Sequence, residues 1–430
     1  MFAALRRVLL VATGLSLPIE YVALAESGAY VLSPTKIVAA VFTAFSIGAW
    51  LAGSRPAPRA GKHWWVFAFA WSFAVSCGVT VLWGVPVSVI LPFILTIASL
   101  LLFYVALTVG ITSESELDHF LGGFIVGCVG VSFTALLGYG FVTESAEGER
   151  LGGLGGNVNE LGFNLGVMLP VAFAYLIVSG SRIVRAAALG AVVVGVVATT
   201  NTLSRTAYLG ALVMWVYGMF RFRRLDLLRY AIPGIALFVI GLQFMPDSAK
   251  ERMLSMTGSR IRYDTSSGHR VVLNEWGLRA FASNPLVGVG VQNFGTWAGK
   301  QTPLLHPGSV IHNAFIRVGA EQGLVGLVPF VAILVAAWRE FGRASALATR
   351  GGVALRSLRL KALLLQVALL GTFVQHLAQT SFNYKLTWAL PALSTVVLHL
   401  VVQRVRSASR TTSGPIGVSQ PERLARSTSA

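Results

Sequence analysis

Charge is scarce in this sequence. Of 430 residues only 12% are Asp, Glu, Lys or Arg, whereas 55% are hydrophobic and the mean hydropathy is +0.70. That balance excludes an ordinary soluble domain. Cysteine is scarcer still: Cys77 and Cys128 are the only two, both inside apolar runs. They read as packing residues, and neither a disulfide framework nor a thiolate metal site is expected. The chain has no H-x-x-x-H pair and no P-loop, so neither a histidine zinc site nor nucleotide chemistry is expected, and no cofactor is called for. The strict alternation of a membrane β-barrel is also missing.

What fills the sequence is apolar runs of about 18 or more residues, each long enough to cross a hydrocarbon core of roughly 30 Å. Lipid tolerates only backbone that satisfies its own hydrogen bonds, so these runs must be helices. The expected fold is an all-α polytopic integral membrane protein with about twelve transmembrane helices. The first span falls over 5–25, a ninth over 230–246 and the last over 386–403. The first run follows Arg6 and Arg7 and has no convincing cleavage site, so it reads as a retained helix. Residues 1–403 form one helical domain, with a large outer loop at 247–312 inserted. Residues 404–430, rich in Ser, Arg and Pro, read as a disordered basic cytoplasmic tail.

A net charge of +17 is high enough to suggest a nucleic-acid partner, but its distribution argues otherwise. If both termini are cytoplasmic, the Lys and Arg residues concentrate in alternate loops. These include Arg55, Arg59 and Lys62, then Arg221, Arg223, Arg224 and Arg229, and the 339–361 segment. That alternation is the positive-inside pattern, so the charge records topology and no nucleic acid is expected. The acidic "SESELD" at 113–118 is the dissenter, and acidic residues weigh little in that rule.

Two loops on the outer side are long enough to carry function: 143–160, "TESAEGERLGGLGGNVNE", and 247–312. In the second, "HRVVLNEWGLRAFASNPL" places Val272, Leu273, Trp276 and Ala280 on one helical stripe. Arg270 and Asn274 share another edge, and Glu275 and Arg279 stand four apart as a favourable ion pair. This predicts an amphipathic helix ended at Asn284-Pro285. The following "GVGVQNFG" predicts a tight turn; it lacks the strand and the glycine register of a dinucleotide fingerprint.

Polar residues gather at this outer side. Arg205, in "NTLSRTAYLG", lies where one span ends and the next begins. An interfacial arginine ordinarily snorkels to the headgroups, but Ser204, Thr206 and Tyr208 make this setting more polar than snorkelling needs. Arg270 could equally be a solvated charge on its helix. Arg150 lies beside glycine-rich backbone able to cradle an anion, although such a turn is more often only a turn. Arg317 and Glu321, four apart, read first as a pair within one helix.

His312, in "HPGSVIHNAFIRVGAEQGLVG", is the sharpest candidate. With Ser309 as the cap, His312 would fall on the first turn of a helix, where the dipole opposes ring protonation. A neutral imidazole is what a general base requires, the bland alternative being a histidine hydrogen-bonded at a helix end. A neutral base with forked cations in a membrane bundle suits phosphate-leaving-group chemistry on an activated lipid-linked donor.

At this point the residues resemble a family. "IHNAFIRVGAEQGLVGLVPF", "NPLVGVGVQNF", "NTLSRTAYLG" and "GGNVNELGFNLGVMLP" are similar, in order over about 150–340, to elements of the O-antigen ligase and polymerase superfamily. The resemblance implies a GT-C-like bundle in the inner membrane of a Gram-negative bacterium. It also implies metal-independent, inverting transfer of a glycan from undecaprenyl diphosphate at the periplasmic face. Carried over by position, His312 resembles the base, and Arg205 and Arg270 the diphosphate-binding pair. Arg150, Asn159, Asn313 and Arg317 become substrate-binding candidates. Val158 stands before Asn159 where the family often has proline, which weakens that residue's case. The single modest outer loop and the basic tail suit a ligase acting on lipid A-core oligosaccharide. A polymerase joining lipid-linked repeat units is the alternative. A transporter or flippase for lipid-linked sugars is the alternative from another class, and it would more often show internal repeats and mid-membrane broken helices.

Overall fold

The computed structural model describes residues 2–20, 22–27, 30–53, 62–139, 142–145, 148–151, 154, 158–222 and 265–412. The helices in chain order are α1 (Phe2–Ser16), α2 (Pro34–Leu51), α3 (His63–Leu82), α4 (Val87–Gly110), α5 (Glu114–Thr134), α6 (Val158–Val178) and α7 (Arg182–Asn201). They continue with α8 (Arg205–Phe222), α9 (Thr265–Ser283), α10 (Phe294–Gly299), α11 (Ala314–Arg350), α12 (Arg356–His376) and α13 (Lys385–Thr412). Two short antiparallel hairpins, Ala25–Ser27 with Tyr30–Leu32 and Val142–Ser145 with Gly148–Leu151, sit in loops where the sequence suggested no strand.

Nine helices among the described residues, α2 to α7 and α11 to α13, are long and apolar enough to cross a membrane. The protein is an all-α, multi-pass membrane protein. Helices α1 and α8 also fall on predicted spans, but α1 has only 15 residues and α8 carries Arg205 and Arg221 near its two ends. The predicted span 230–246, the stretch 247–264 of the long loop, and residues 413–430 of the tail lie outside the described residues.

The helices begin where the sequence supplies caps. Ser33 Oγ accepts from the Lys36 N–H before α2, and Ser113 Oγ from the Glu116 N–H before α5. Helices α1 and α5 touch backbone to backbone: a Cβ at Gly123 or Gly127 would stand 2.3 Å from the carbonyl oxygens of Val11 and Leu15. Such close approach is how helices gain dispersion energy where lipid leaves little hydrophobic drive. Helix α12 is the central strut, with α6, α8, α11 and α13 packed around it. Outward faces such as that of α3, with Trp64, Phe67 and Trp71 exposed, are apolar.

Several buried charges of the helical bundle are paired, as a membrane interior demands. The acidic segment that opens α5 is answered there: Lys361 reaches Glu114 at 2.9 Å and Asp118 at 2.5 Å, and Arg6 pairs with Glu116. Lys62, grouped above with the cytoplasmic loop charges, is instead buried against Glu340 (2.5 Å) and hydrogen-bonded to Ser394, tying α3 to α11 and α13.

Candidate active site

The long helix α11 is broken. Gly323 takes φ +63° and ψ −161°, outside the helical region, so residues 314–322 form a half-helix nine residues long ahead of the main span. In a continuous helix the Leu324 and Val325 amides would donate to Ala320 and Glu321. Here they donate to the carbonyls of Pro285 (2.8 Å) and Leu286 (3.1 Å), while the Ala320 and Glu321 carbonyls accept from Val289 (2.8 Å) and Gly290 (3.0 Å). The "NPLVGVG" stretch is thus threaded into the break and takes over both bonds. Glycine is required on both sides of this contact. A Cβ at Gly288 (φ +70°) would lie 2.4 Å from the Glu321 carbonyl carbon, and one at Gly323 2.2 Å from the Leu286 oxygen. Two motifs that are separate in sequence are one structure. The expected tight turn follows directly, with Gly290 at φ +99° and Gln292 at φ +60°.

Just ahead of the half-helix, Asn313 is the cap, its Oδ1 accepting from the Phe315 (3.0 Å) and Ile316 (3.1 Å) amides. The expectation that Ser309 caps the helix is corrected: Ser309 Oγ accepts from the His306 N–H at 3.0 Å and closes the Pro307-Gly308 turn instead. Asparagine four residues later competes better because it satisfies two orphan amides at once. His312 therefore precedes the cap rather than lying on the first turn, with its side chain open to solvent.

Helix α9 brings the cations to His312. Its inner stripe, Leu273, Gly277 and Ala280, packs against the start of α11, with Gly277 seated between Ile311 and Ile316. Val272 and Trp276 fill the flanks, so the expected amphipathic face is the one that docks. On the exposed side Arg279 pairs with Glu275 at 2.5 Å, as the spacing predicted, and lies over Trp276. Arg270, three residues before Leu273, then acts on the imidazole. Partial burial, then the charges of Arg270, Arg317 and His269, hold the His312 pKa below its ordinary value. Both effects favour the uncharged ring, a bias that the helix dipole was expected to supply. Arg317 and Glu321 form the predicted internal pair (3.2 Å), both buried, with the guanidinium 5.4 Å from the Phe93 and Phe382 ring centroids.

A second group lies at the start of α6 and α8. Arg205 is the first residue of α8, after a turn in which Leu203 takes φ +50°. Ser204 Oγ donates to Asn159 Oδ1 at 2.9 Å, joining that turn to the first turn of α6. The side chain of Arg150 lies outside the described residues, as does most of the glycine-rich loop after it.

The two groups are linked through the turn after α12. Gln379 Nε2 donates to the Asn159 carbonyl (3.0 Å), and the next residue, Thr380, donates through Oγ1 to the Ile311 carbonyl (2.5 Å). Sequence reasoning missed both, and missed His269. The available signal was "QHLAQTSFNYK" at 375–385, a polar run between two apolar spans.

Residues 190–331 match the family described as O-antigen ligase, from within α7 to the middle of α11, a stretch that includes Arg205, Arg270 and His312. No curated protein matches the chain.

Proposed function

For a chain whose residues 190–331 match the O-antigen ligase family, we propose that the site is a glycosyl-transfer centre. In this reading it moves a glycan from undecaprenyl diphosphate onto a sugar hydroxyl of lipid A-core oligosaccharide. The observation that supports the proposal is the setting of His312 at the mouth of the α11 half-helix, where partial burial first and then the charges of Arg270, Arg317 and His269 lower its pKa and favour the basic, uncharged imidazole. The acceptor hydroxyl gives its proton to His312 as its oxygen attacks the anomeric carbon. The new C–O bond forms on the face opposite the departing diphosphate, so the anomeric centre inverts. The bond to the phosphate oxygen breaks, and the charge that develops on undecaprenyl diphosphate is stabilised by the forked donors of Arg205 and Arg270. The imidazolium, placed among cations, then returns its proton to solvent. No metal takes part in these steps. With the termini cytoplasmic the centre faces the periplasm of a Gram-negative inner membrane, where lipid-linked donors are available and ATP is not.

A carrier of lipid-linked sugars would share one feature, the interrupted helix, because transporters use unwound backbone to hold their cargo. At Gly323 the freed groups at 320–321 and 324–325 are already hydrogen-bonded to residues 285–290, so these groups are committed within the protein and not held open for a solute. That favours an enzyme.

The test is deletion in the host followed by analysis of lipopolysaccharide. Loss of all O-antigen from lipid A-core, with glycan accumulating on the carrier lipid, is the expected result. A core bearing one repeat unit would make the protein a polymerase, and unprocessed donor held on the cytoplasmic leaflet would make it a flippase.

A further inference from the structure

Transfer between two bound substrates requires the group that activates one to be held in register with the groups that bind the other. In this fold those groups stand on different helices. Arg205 opens α8 and is tied through Ser204 to Asn159 on α6, whereas His312 precedes α11. Helices α6, α8 and α11 share one neighbour, α12, and the turn that follows α12 reaches both sides. Gln379 holds the Asn159 carbonyl, Thr380 holds the Ile311 carbonyl one residue before His312, and both bonds come from adjacent residues. The turn itself is braced by His376. His376 Nδ1 is hydrogen-bonded to Ser381 Oγ, and its buried ring lies 5.8 Å from Phe163 of α6 and 6.1 Å from Phe315 of α11.

We infer that Gln379 and Thr380 are positioning residues: a two-residue clamp that sets the separation between the arginine-bearing turn at 202–205 and the base-bearing segment at 311–313. Neither acts on the reacting atoms. Their effect runs through two backbone carbonyls, so it depends on hydrogen-bonding ability and not on bulk. A misplacement of about 1 Å between otherwise intact groups is enough to cost roughly a hundredfold in rate. This inference rests on the proposed glycosyl transfer for its kinetic half only.

The experiment uses the full-length protein in lipid nanodiscs, comparing Thr380→Val, Thr380→Ser and Gln379→Met with the wild type. The first readout is amide hydrogen exchange over 311–317 and 202–208. Thr380→Val should speed exchange in the first segment by about three- to tenfold, as loss of one net hydrogen bond does, and Thr380→Ser should not. Gln379→Met should do the same to the second segment. The second readout is turnover with a polyprenyl-diphosphate-linked glycan and a core oligosaccharide acceptor. Thr380→Val should lower kcat by about 10- to 100-fold with the donor KM within about twofold, and Thr380→Ser should regain most of it. Unchanged exchange in the valine variant, or a serine variant as impaired as valine, overturns the clamp. A wild-type protein that turns over nothing sinks the proposed function, and the exchange data still decide the clamp.

Discussion

Leu324 donates its backbone N–H to the carbonyl of Pro285 at 2.8 Å, a bond that an unbroken helix would direct to Ala320. The exchange converts one long helix into a half-helix that begins just after the candidate base, and a separate span. It also fixes α9, which precedes Pro285, against the same half-helix.

Gly323→Ala is expected to disrupt this joint. Its φ of +63° disfavours any Cβ, and the added atom would collide with the Leu286 carbonyl at 2.2 Å. Backbone strain of this kind costs about 1–3 kcal/mol, and the collision adds to it. The thermal midpoint of the detergent-solubilised protein should fall and transfer should weaken with it. A variant of wild-type stability would mean that the threaded segment does not hold the break.

His312→Ala should abolish transfer while leaving the protein inserted and folded, because the residue lies outside the buried core and precedes the helix cap. Loss of a general base costs about 10²- to 10⁴-fold in rate. Membrane fractionation and product analysis check both halves of the expectation, and wild-type product levels would remove the base assignment.

The pH dependence follows from the charges around that ring. His312 must be neutral to act, and partial burial, followed by the charges of Arg270, Arg317 and His269, lowers its pKa from the ordinary 6.5. Activity should therefore persist as pH falls to 6.5 and decline only below it. Removing a nearby cation raises an imidazole pKa, so Arg270→Gln should move the acid limb of kcat/KM upward, toward 6.5, besides lowering the plateau. Arg270→Lys should keep the limb near its wild-type position. An unmoved limb in the glutamine variant would separate Arg270 from the ring.

The features that were legible in the sequence are those written in a single element. Apolar length marked the spans, the four-residue spacing gave the Arg317–Glu321 and Glu275–Arg279 pairs, and the stripe through Leu273 and Ala280 gave the docking face of α9. What escaped depends on two elements at once. The break at Gly323 exists because residues 285–290 are present to saturate it, and no local pattern records that exchange. The Ser309 cap failed because an equally suitable cap, Asn313, lay one turn later and could take two amides. Gln379 and Thr380 act through backbone carbonyls of distant helices, so their polarity was visible and their partners were not.

Arg205→Ala should cost about 2–4 kcal/mol of transition-state stabilisation if the guanidinium meets the developing diphosphate charge. Lysine at 205 should recover part of this and not all, since a point charge lacks the fork. Steady-state kinetics of the two variants separate the roles. Full recovery by lysine would reduce Arg205 to a general positive charge at the entrance of α8.

Arg317 was a candidate substrate-binding residue, and its burial with Glu321 predicts a distinct phenotype. Removing one member of a buried ion pair costs about 3–5 kcal/mol because the partner charge is stranded, whereas replacing both with apolar residues of similar size is far milder. Glu321→Gln should therefore lower the thermal midpoint more than the joint Arg317→Met, Glu321→Leu replacement does. Activity of the joint variant then isolates what the Arg317 charge contributes to His312: its acid limb should shift toward 6.5, the ordinary imidazole value, once that cation is gone. If Glu321→Gln is as stable as the wild type, Arg317 is not committed to the pair and its guanidinium is available to substrate.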